Sequence, residues 1–64
     1  MSHAEHALLD ALYRRARTHG DHWLDMGASR ALRGLVAEKL AKAQRGRARI
    51  TLGGSAHVRL NGRA

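Results

Sequence analysis

The spacing of the apolar residues changes at Gly46, and this change constrains the fold more than any other feature of the sequence. Before Gly46, apolar residues recur about every 3.6 positions, which is typical of amphipathic helices. After Gly46, they alternate with polar residues, which is typical of β-strands with one buried face. The sequence therefore predicts an α+β fold, with two helices followed by a C-terminal antiparallel β-hairpin.

The two helices are predicted over about residues 3–19 and 29–45, with residues 20–28 as a connector that contains one helical turn. Ser2 and Glu5 have the spacing of a capping box, in which each side chain accepts a hydrogen bond from the backbone of the other. The first helix is therefore expected to begin at this pair.

The second helix has polar and glycine signals at its ends and one unexpected residue inside it. Ser29 is the predicted N-cap, and Gly46 is the residue expected to end the helix. Gly34 lies within this helix, where it costs ~1 kcal/mol relative to Ala. We therefore expect a close backbone approach by another element, such as the first helix, at Gly34.

The hairpin is predicted over about residues 47–61, with a three-residue turn at Gly53–Ser55 that keeps the apolar residues on one face. This register places Arg49 directly opposite Arg59. Like charges in that position cost roughly 0.2–1 kcal/mol. An anionic partner above this face would offset that cost.

The chain is expected to form one small domain over residues 1–64, with a thin core. A domain of this size buries only about 60% of its unfolded surface, and the absence of Cys excludes stabilisation by disulfides. A two-stranded hairpin is not stable alone. Either its apolar face covers the helices, or the hairpins of two chains join into a four-stranded sheet, or both; a homodimer is the expected assembly.

The order of helix, helix and basic hairpin resembles the first half of the histone-like HU and integration-host-factor family. The similarity is confined to residues 29–64. The aromatic, glycine-rich hinge of that family corresponds here only to Leu52-Gly53-Gly54-Ser55, and its Pro-tipped arm is missing because this chain has no Pro. The resemblance implies the order of elements and leaves the function to be argued from the residues.

The formal charge of +7 arises entirely from the C-terminal part of the chain. Residues 1–38 contain five Arg and five acidic residues, whereas residues 39–64 contain seven Lys or Arg and no Asp or Glu. Such segregation of charge favours an anionic partner, which could be nucleic acid, an acidic protein surface or an anionic membrane. The membrane is the weakest of these three, because the second helix has little bulk on its apolar face.

The candidate binding residues are basic and polar residues of the predicted hairpin and its flanks. Guanidinium groups would neutralise phosphates, while hydroxyl, imidazole and amide groups would make finer hydrogen bonds. The set comprises Arg45, Arg47, Arg49, Thr51, His57, Arg59, Asn61 and Arg63. Trp23, the sole Trp, is interpreted as a core residue in preference to a stacking platform or a binding hot spot for a partner.

Two functions follow from these residues. The favoured function is a small, non-enzymatic regulator that binds DNA or RNA through the Arg-rich face of the hairpin. The alternative is a small protein of the kind that phages and mobile elements encode, which binds an acidic surface of a host protein and inhibits or modulates it. A cytoplasmic location is expected, since there is no signal sequence and no apolar run of about 20 residues.

The sequence carries no clear catalytic or metal-binding pattern. His3 and His6, and likewise His19 and His22, are spaced one helical turn apart, but neither pair has a nearby Cys or third His to complete a site. No nucleophile and base, paired carboxylates or phosphate-binding glycine loop occur at the spacings that hydrolysis or transfer requires. We therefore predict no enzyme activity, no metal and no cofactor.

Overall fold

The computed structural model describes residues 2–18, 22–27 and 29–61, and within these ranges the chain forms three helices and three strands. In chain order, the elements are α1 (His3–Thr18), β1 (Leu24–Asp25), α2 (Arg30–Ala37), β2 (Ala41–Gln44), β3 (Arg47–Ile50) and α3 (Leu52–Asn61). The predicted mixed α+β class is confirmed. The order of elements differs from the prediction, because the hairpin lies earlier and a third helix follows it.

Helix α1 begins as the sequence predicts. The backbone N–H of Ser2 donates to the Glu5 carboxylate at 2.7 Å, and the N–H of Glu5 donates to the Ser2 hydroxyl at 3.2 Å. The hydrogen bond from the Ser2 backbone lowers the pKa of the Glu5 carboxyl. Leu9 and Leu12 are the buried residues of this helix. Its expected end, at about residue 19, lies outside the described residues.

Helix α2 begins at its predicted N-cap but ends at Ala37, far short of the expected end near Gly46. The Ser29 hydroxyl accepts from the N–H of Leu32 at 3.0 Å. At the other end, Lys39 adopts the left-handed conformation with φ 63°. Its N–H donates to Val36, and the N–H of Leu40 donates to Leu35, at 3.0 and 2.9 Å. These two bonds form a Schellman motif, which turns the chain out of the helix.

Strands β2 and β3 form a hairpin with a two-residue turn at Arg45 and Gly46. Gln44 pairs with Arg47 across the turn. Both turn residues have positive φ, 50° for Arg45 and 77° for Gly46, which is the geometry of a type I′ turn. Gly46 therefore does occupy a left-handed position, but in a hairpin turn rather than after a helix.

The register of this hairpin keeps its apolar residues on one face. Ala41 lies opposite Ile50, and Ala43 lies opposite Ala48. The prediction of a hairpin over residues 47–61 is therefore wrong in its partner strand: residues 47–50 form a strand, but they pair with the preceding segment. The four-stranded sheet expected from two chains was based on a hairpin of residues 47–61. Since that hairpin does not form, this expectation has no basis in the observed register.

Strand β1 adds a third strand where a connector with one helical turn was predicted. Leu24 pairs with Ala48 and Asp25 with Arg47, which gives a three-stranded antiparallel sheet in the order β1-β3-β2. The N–H of Met26 also donates to Gly46 at 2.8 Å and continues this pairing toward the turn. Strand β3 therefore lies in the centre of the sheet.

Helix α3 occupies the segment that was expected to form the turn and second strand of the hairpin. Thr51 is its N-cap: the hydroxyl accepts from the N–H of Gly54 at 3.0 Å and donates to the carbonyl of Lys39 at 2.9 Å. Leu52 and Leu60 were expected on a buried face, but they are 90% and 82% exposed. This helix therefore covers the core with other residues, among them the partly buried Val58.

All three helices pack on one face of the sheet. α1 contacts α2, α3 and β3, while α2 contacts β2 and α3 contacts β3. The buried core between these elements comprises Leu9, Leu12, Leu32, Leu35, Ala41, Ala48 and Ile50. The element that approaches Gly34 is α1, as expected, but it does so with the flexible Glu5 side chain and not with its backbone: a Cβ at Gly34 would meet the Glu5 carboxylate.

Within the described ranges, none of the three helices has the length and the apolar character that a membrane crossing requires.

Gly54 provides a direct test of how α3 sits on the sheet. A Cβ at this residue would collide with the carbonyl of Leu40 and the side chain of Ile50. Gly54→Ala is therefore expected to lower the free energy of unfolding by about 1–3 kcal/mol, since overpacking displaces backbone. The measurement is thermal unfolding followed by circular dichroism, where 1 kcal/mol corresponds to a shift in Tm of about 4–8 °C.

Gly53→Ala is the matched control, because a Cβ there meets its nearest atom, the Lys39 carbonyl, at an ordinary contact distance of 3.5 Å. This variant is expected to keep or slightly raise Tm, because Ala favours the helix. Equal loss of stability in both variants would contradict this packing of α3.

Candidate functional site

The face of the sheet opposite the helices carries one aromatic side chain among several cations. Successive side chains of a strand point to opposite faces, and Leu24, Ala48 and Ile50 face the core. Their neighbours along β1 and β3, and the matching residues of β2, therefore face away from the helices. This outer face comprises Trp23, Asp25, Lys42, Gln44, Arg47 and Arg49.

Trp23 lies on the outer face beside two guanidinium groups, and not in the core as the sequence suggested. The Cζ atoms of Arg47 and Arg49 each lie 5.6 Å from the centroid of its ring. Trp23 is half-buried. Cation–π contacts of this kind contribute about 0.5–1 kcal/mol at exposed sites and about 2 kcal/mol when desolvated. The ring therefore favours an arrangement in which both cations stay together on this face.

Lys42 and Arg49 lie directly opposite one another on neighbouring strands. This pair carries the like-charge cost that was expected between Arg49 and Arg59, roughly 0.2–1 kcal/mol. Arg59 is on α3 and takes no part in the pairing. Lys42 was missed as a site residue because its segment was interpreted as helix. The alternation of apolar and polar residues in Ala41-Lys42-Ala43-Gln44 could have indicated a strand. Ala is only weakly apolar, however, so the alternation in hydrophobicity is small.

The second row of the outer face is mixed in charge. Arg47 has Asp25 opposite it on β1 and Gln44 opposite it on β2. Gln44 is exposed, and its amide offers both donors and an acceptor. The outer face therefore combines three cations, one aromatic ring and one amide, with its single carboxylate at the β1 edge.

Arg45 places a fourth cation at the tip of the hairpin. It is exposed and adopts the left-handed conformation, which costs about 1–2 kcal/mol for a residue other than Gly, Asn or Asp. Asn at this position would fit the type I′ turn better. The chain therefore keeps a cation at the tip in spite of its backbone preference.

Two of the predicted site residues serve other roles. The Thr51 hydroxyl is engaged as the N-cap of α3. His57 is half-buried on α3, and its ring centroid lies 6.5 Å from that of His6 on α1. Neither residue belongs to the outer face, because their segment is a helix on the opposite side of the sheet.

The remaining predicted residues also lie away from the outer face or beyond the described part of the chain. Arg59 is exposed on α3 and lines a depression of about 610 Å³ between α1 and α3, together with Arg14 and Arg17. Asn61 is the last residue of α3. Arg63 lies outside the described residues.

Among the described residues, no three His, Asp or Glu side chains are grouped closely enough to hold a metal ion. His19, which the sequence places one helical turn from His22, lies outside the described residues.

No protein family matches this chain, and neither a curated protein nor a solved structure shows significant similarity to it.

The turn conformation of the hairpin can be tested with two substitutions of opposite effect. Arg45→Asn is expected to raise the free energy of unfolding by about 1 kcal/mol, because Asn tolerates the left-handed conformation. Gly46→Ala is expected to lower it by about 1 kcal/mol or more, since its φ of 77° is strained for any residue with a Cβ. Chemical denaturation monitored by Trp23 fluorescence measures both; a loss of stability in Arg45→Asn would contradict the type I′ turn.

Proposed function

We propose that this protein is a small, non-enzymatic regulator that binds nucleic acid on the outer face of its sheet and acts in the cytoplasm. The observation that carries the proposal is the Trp23 ring within 5.6 Å of the guanidinium carbons of both Arg47 and Arg49. Cations arranged around an aromatic ring are the combination with which proteins hold a phosphate backbone and stack its bases.

The charges of the outer face support an anionic ligand. Lys42 opposes Arg49 across the sheet, so a phosphate above them would remove a repulsion that exists in the free protein. Arg45 extends the same positive surface to the tip of the hairpin at a conformational cost, and residues held in costly backbone conformations cluster at functional sites. Four cations are thus available for phosphate contacts.

The two uncharged groups of the face suggest how bases would be contacted. Bases of any identity can stack on Trp23 once one guanidinium moves aside, and such stacking is worth about 1–3 kcal/mol per base. The Gln44 amide can exchange a pair of hydrogen bonds with a base edge. Binding would therefore depend mainly on phosphate charge, with stacking favouring unpaired bases.

Anisotropy of labelled single-stranded and duplex oligonucleotides at several salt concentrations tests this proposal. Four phosphate contacts predict that log affinity falls with log salt at a slope of about −3.6 for duplex DNA and about −2.8 for a single strand. The double variant Lys42→Gln/Arg49→Gln is expected to bind more weakly and to reduce the duplex slope by about 1.8.

The matched control is Arg30→Gln/Arg59→Gln, which removes the same charge from the exposed surfaces of α2 and α3. It is expected to weaken binding less than the sheet variant does. Equal effects of the two double variants would show that net charge alone drives binding, and absence of binding at low salt would refute the proposal. The emission of Trp23, the sole Trp, should be quenched when unpaired bases stack on it.

The proposed assembly is a homodimer, supported by the apolar side chains that α3 leaves exposed, Leu52 and Leu60. Sedimentation velocity is expected to show a dimer for the unmodified protein and a monomer for Leu52→Ser/Leu60→Ser. Val36→Ser is the control, since Val36 is also exposed, at 40%, but lies on α2. A monomer at all concentrations of the unmodified protein would contradict this assembly.

A further inference from the structure

An apolar groove lies between α2 and the turn end of the β2–β3 hairpin. Its volume is about 470 Å³, within the range of about 300–1,000 Å³ that is usual for ligand sites. Its floor is formed by small and medium apolar side chains, those of Met26, Leu32, Val36, Ala37 and Ala43.

The groove is open because the elements that cover the core do not extend to the hairpin turn. Ala43 is on the helix-facing side of the sheet, opposite the buried Ala48, yet it is itself exposed. α2 ends at Ala37, and α3 packs over the other end of the hairpin, where Gly54 meets Leu40 and Ile50. The inner face near the turn is therefore left without a covering element among the described residues.

The rim of the groove is cationic. Arg33 on α2 is on one side, and Arg45 of the hairpin is on the other. Arg47 also lines the groove, but its guanidinium lies beside Trp23 on the outer face. None of the described residues that line the groove is acidic. An apolar floor between Arg side chains complements a ligand with apolar side chains flanked by carboxylates.

The cationic rim and the apolar floor also indicate which kind of partner the groove can bind. A second copy of this chain carries the same charge of +7, so its approach to this cationic rim is electrostatically less favourable than the contact proposed above through the apolar side chains of α3. Nucleic acid would form few hydrogen bonds with the floor of the groove, because Met, Leu, Val and Ala side chains offer no strong hydrogen-bonding groups. The Ser29 hydroxyl at the groove is engaged as the α2 N-cap.

We propose that this groove binds an acidic amphipathic helix of a partner protein. Apolar side chains at helical spacing would enter the groove between α2 and the hairpin, which is the helix-in-groove mode of recognition. Carboxylates on either side of that stripe would pair with Arg33 and Arg45. The inference does not rest on nucleic-acid binding. Because Arg45 at the hairpin tip belongs to both surfaces, the partner helix and a nucleic acid would nevertheless compete.

The probe is a labelled synthetic peptide of about 15 residues with Leu on one helical face and Glu on the other. Its control is a peptide of the same composition with the Leu residues scattered around the helix. Fluorescence anisotropy is expected to show binding of the amphipathic peptide at least about tenfold tighter than that of the scattered one, because only the former presents a continuous apolar stripe.

Val36→Asp places a carboxylate in the groove at a residue that is already 40% exposed, and it is expected to weaken peptide binding by roughly tenfold. Ala11→Asp is the matched control on α1, at an exposed residue that does not line the groove, and it should leave peptide binding unchanged. Circular dichroism of both variants establishes that they fold; if Val36→Asp does not, Arg33→Gln replaces it, with an expected loss of roughly threefold to tenfold.

Three results would overturn the inference: no peptide binding at low salt, equal binding of the two peptides, or equal effects of Val36→Asp and Ala11→Asp. A fourth would reassign the groove: if Val36→Asp weakens oligonucleotide binding and leaves peptide binding unchanged, the groove belongs to a nucleic-acid surface. Failure of oligonucleotide binding alone leaves the peptide result standing, so the two proposals fail separately.

Discussion

The end of α2 is the local structure on which the rest of the architecture depends. The hydrogen bond from the Leu40 N–H to the Leu35 carbonyl, with Lys39 in the left-handed conformation, stops the helix and reverses the chain. Residues 41–44 are then free to pair with β3. Strand β3 is then hydrogen-bonded to β2 on one side and to β1 on the other. No edge of β3 is left for the segment after it to pair with, and that segment forms α3.

The two proposed binding surfaces differ in chemistry because they lie on opposite faces of the same sheet. Alternation along each strand places Ala41, Ala48 and Ile50 under the helices and the cations with Trp23 on the other side. The outer face is suited to a charged polymer, whereas the groove at the turn is suited to an apolar helix with acidic flanks. Arg45 at the hairpin tip borders both proposed surfaces, so we expect occupation of one to alter binding at the other.

The core is small, and its packing depends on close approaches rather than on large side chains. No Phe is present, and among the described residues the largest fully buried side chains are those of Leu9, Leu12 and Leu35. At Gly54 the Leu40 carbonyl comes too near for a Cβ, whereas at Gly34 the space that a Cβ would take is occupied by the flexible Glu5 side chain. Trp23, which such a core would be expected to use, instead organises cations on the outer face.

Local patterns in the sequence determined the first helix, the start of the second and the presence of a β-strand after Gly46, because caps and strong Leu periodicity act over only a few residues. They also identified Arg45, Arg47 and Arg49 as members of one cationic surface. Only the tertiary structure decided which strand pairs with β3, because Ala41 and Ala43 fit a helix and a strand about equally well, and the helix ended without the Gly that usually marks such an end. The pairing in turn brought Lys42 and Trp23 onto the outer face and took Thr51, His57 and Arg59 away from it.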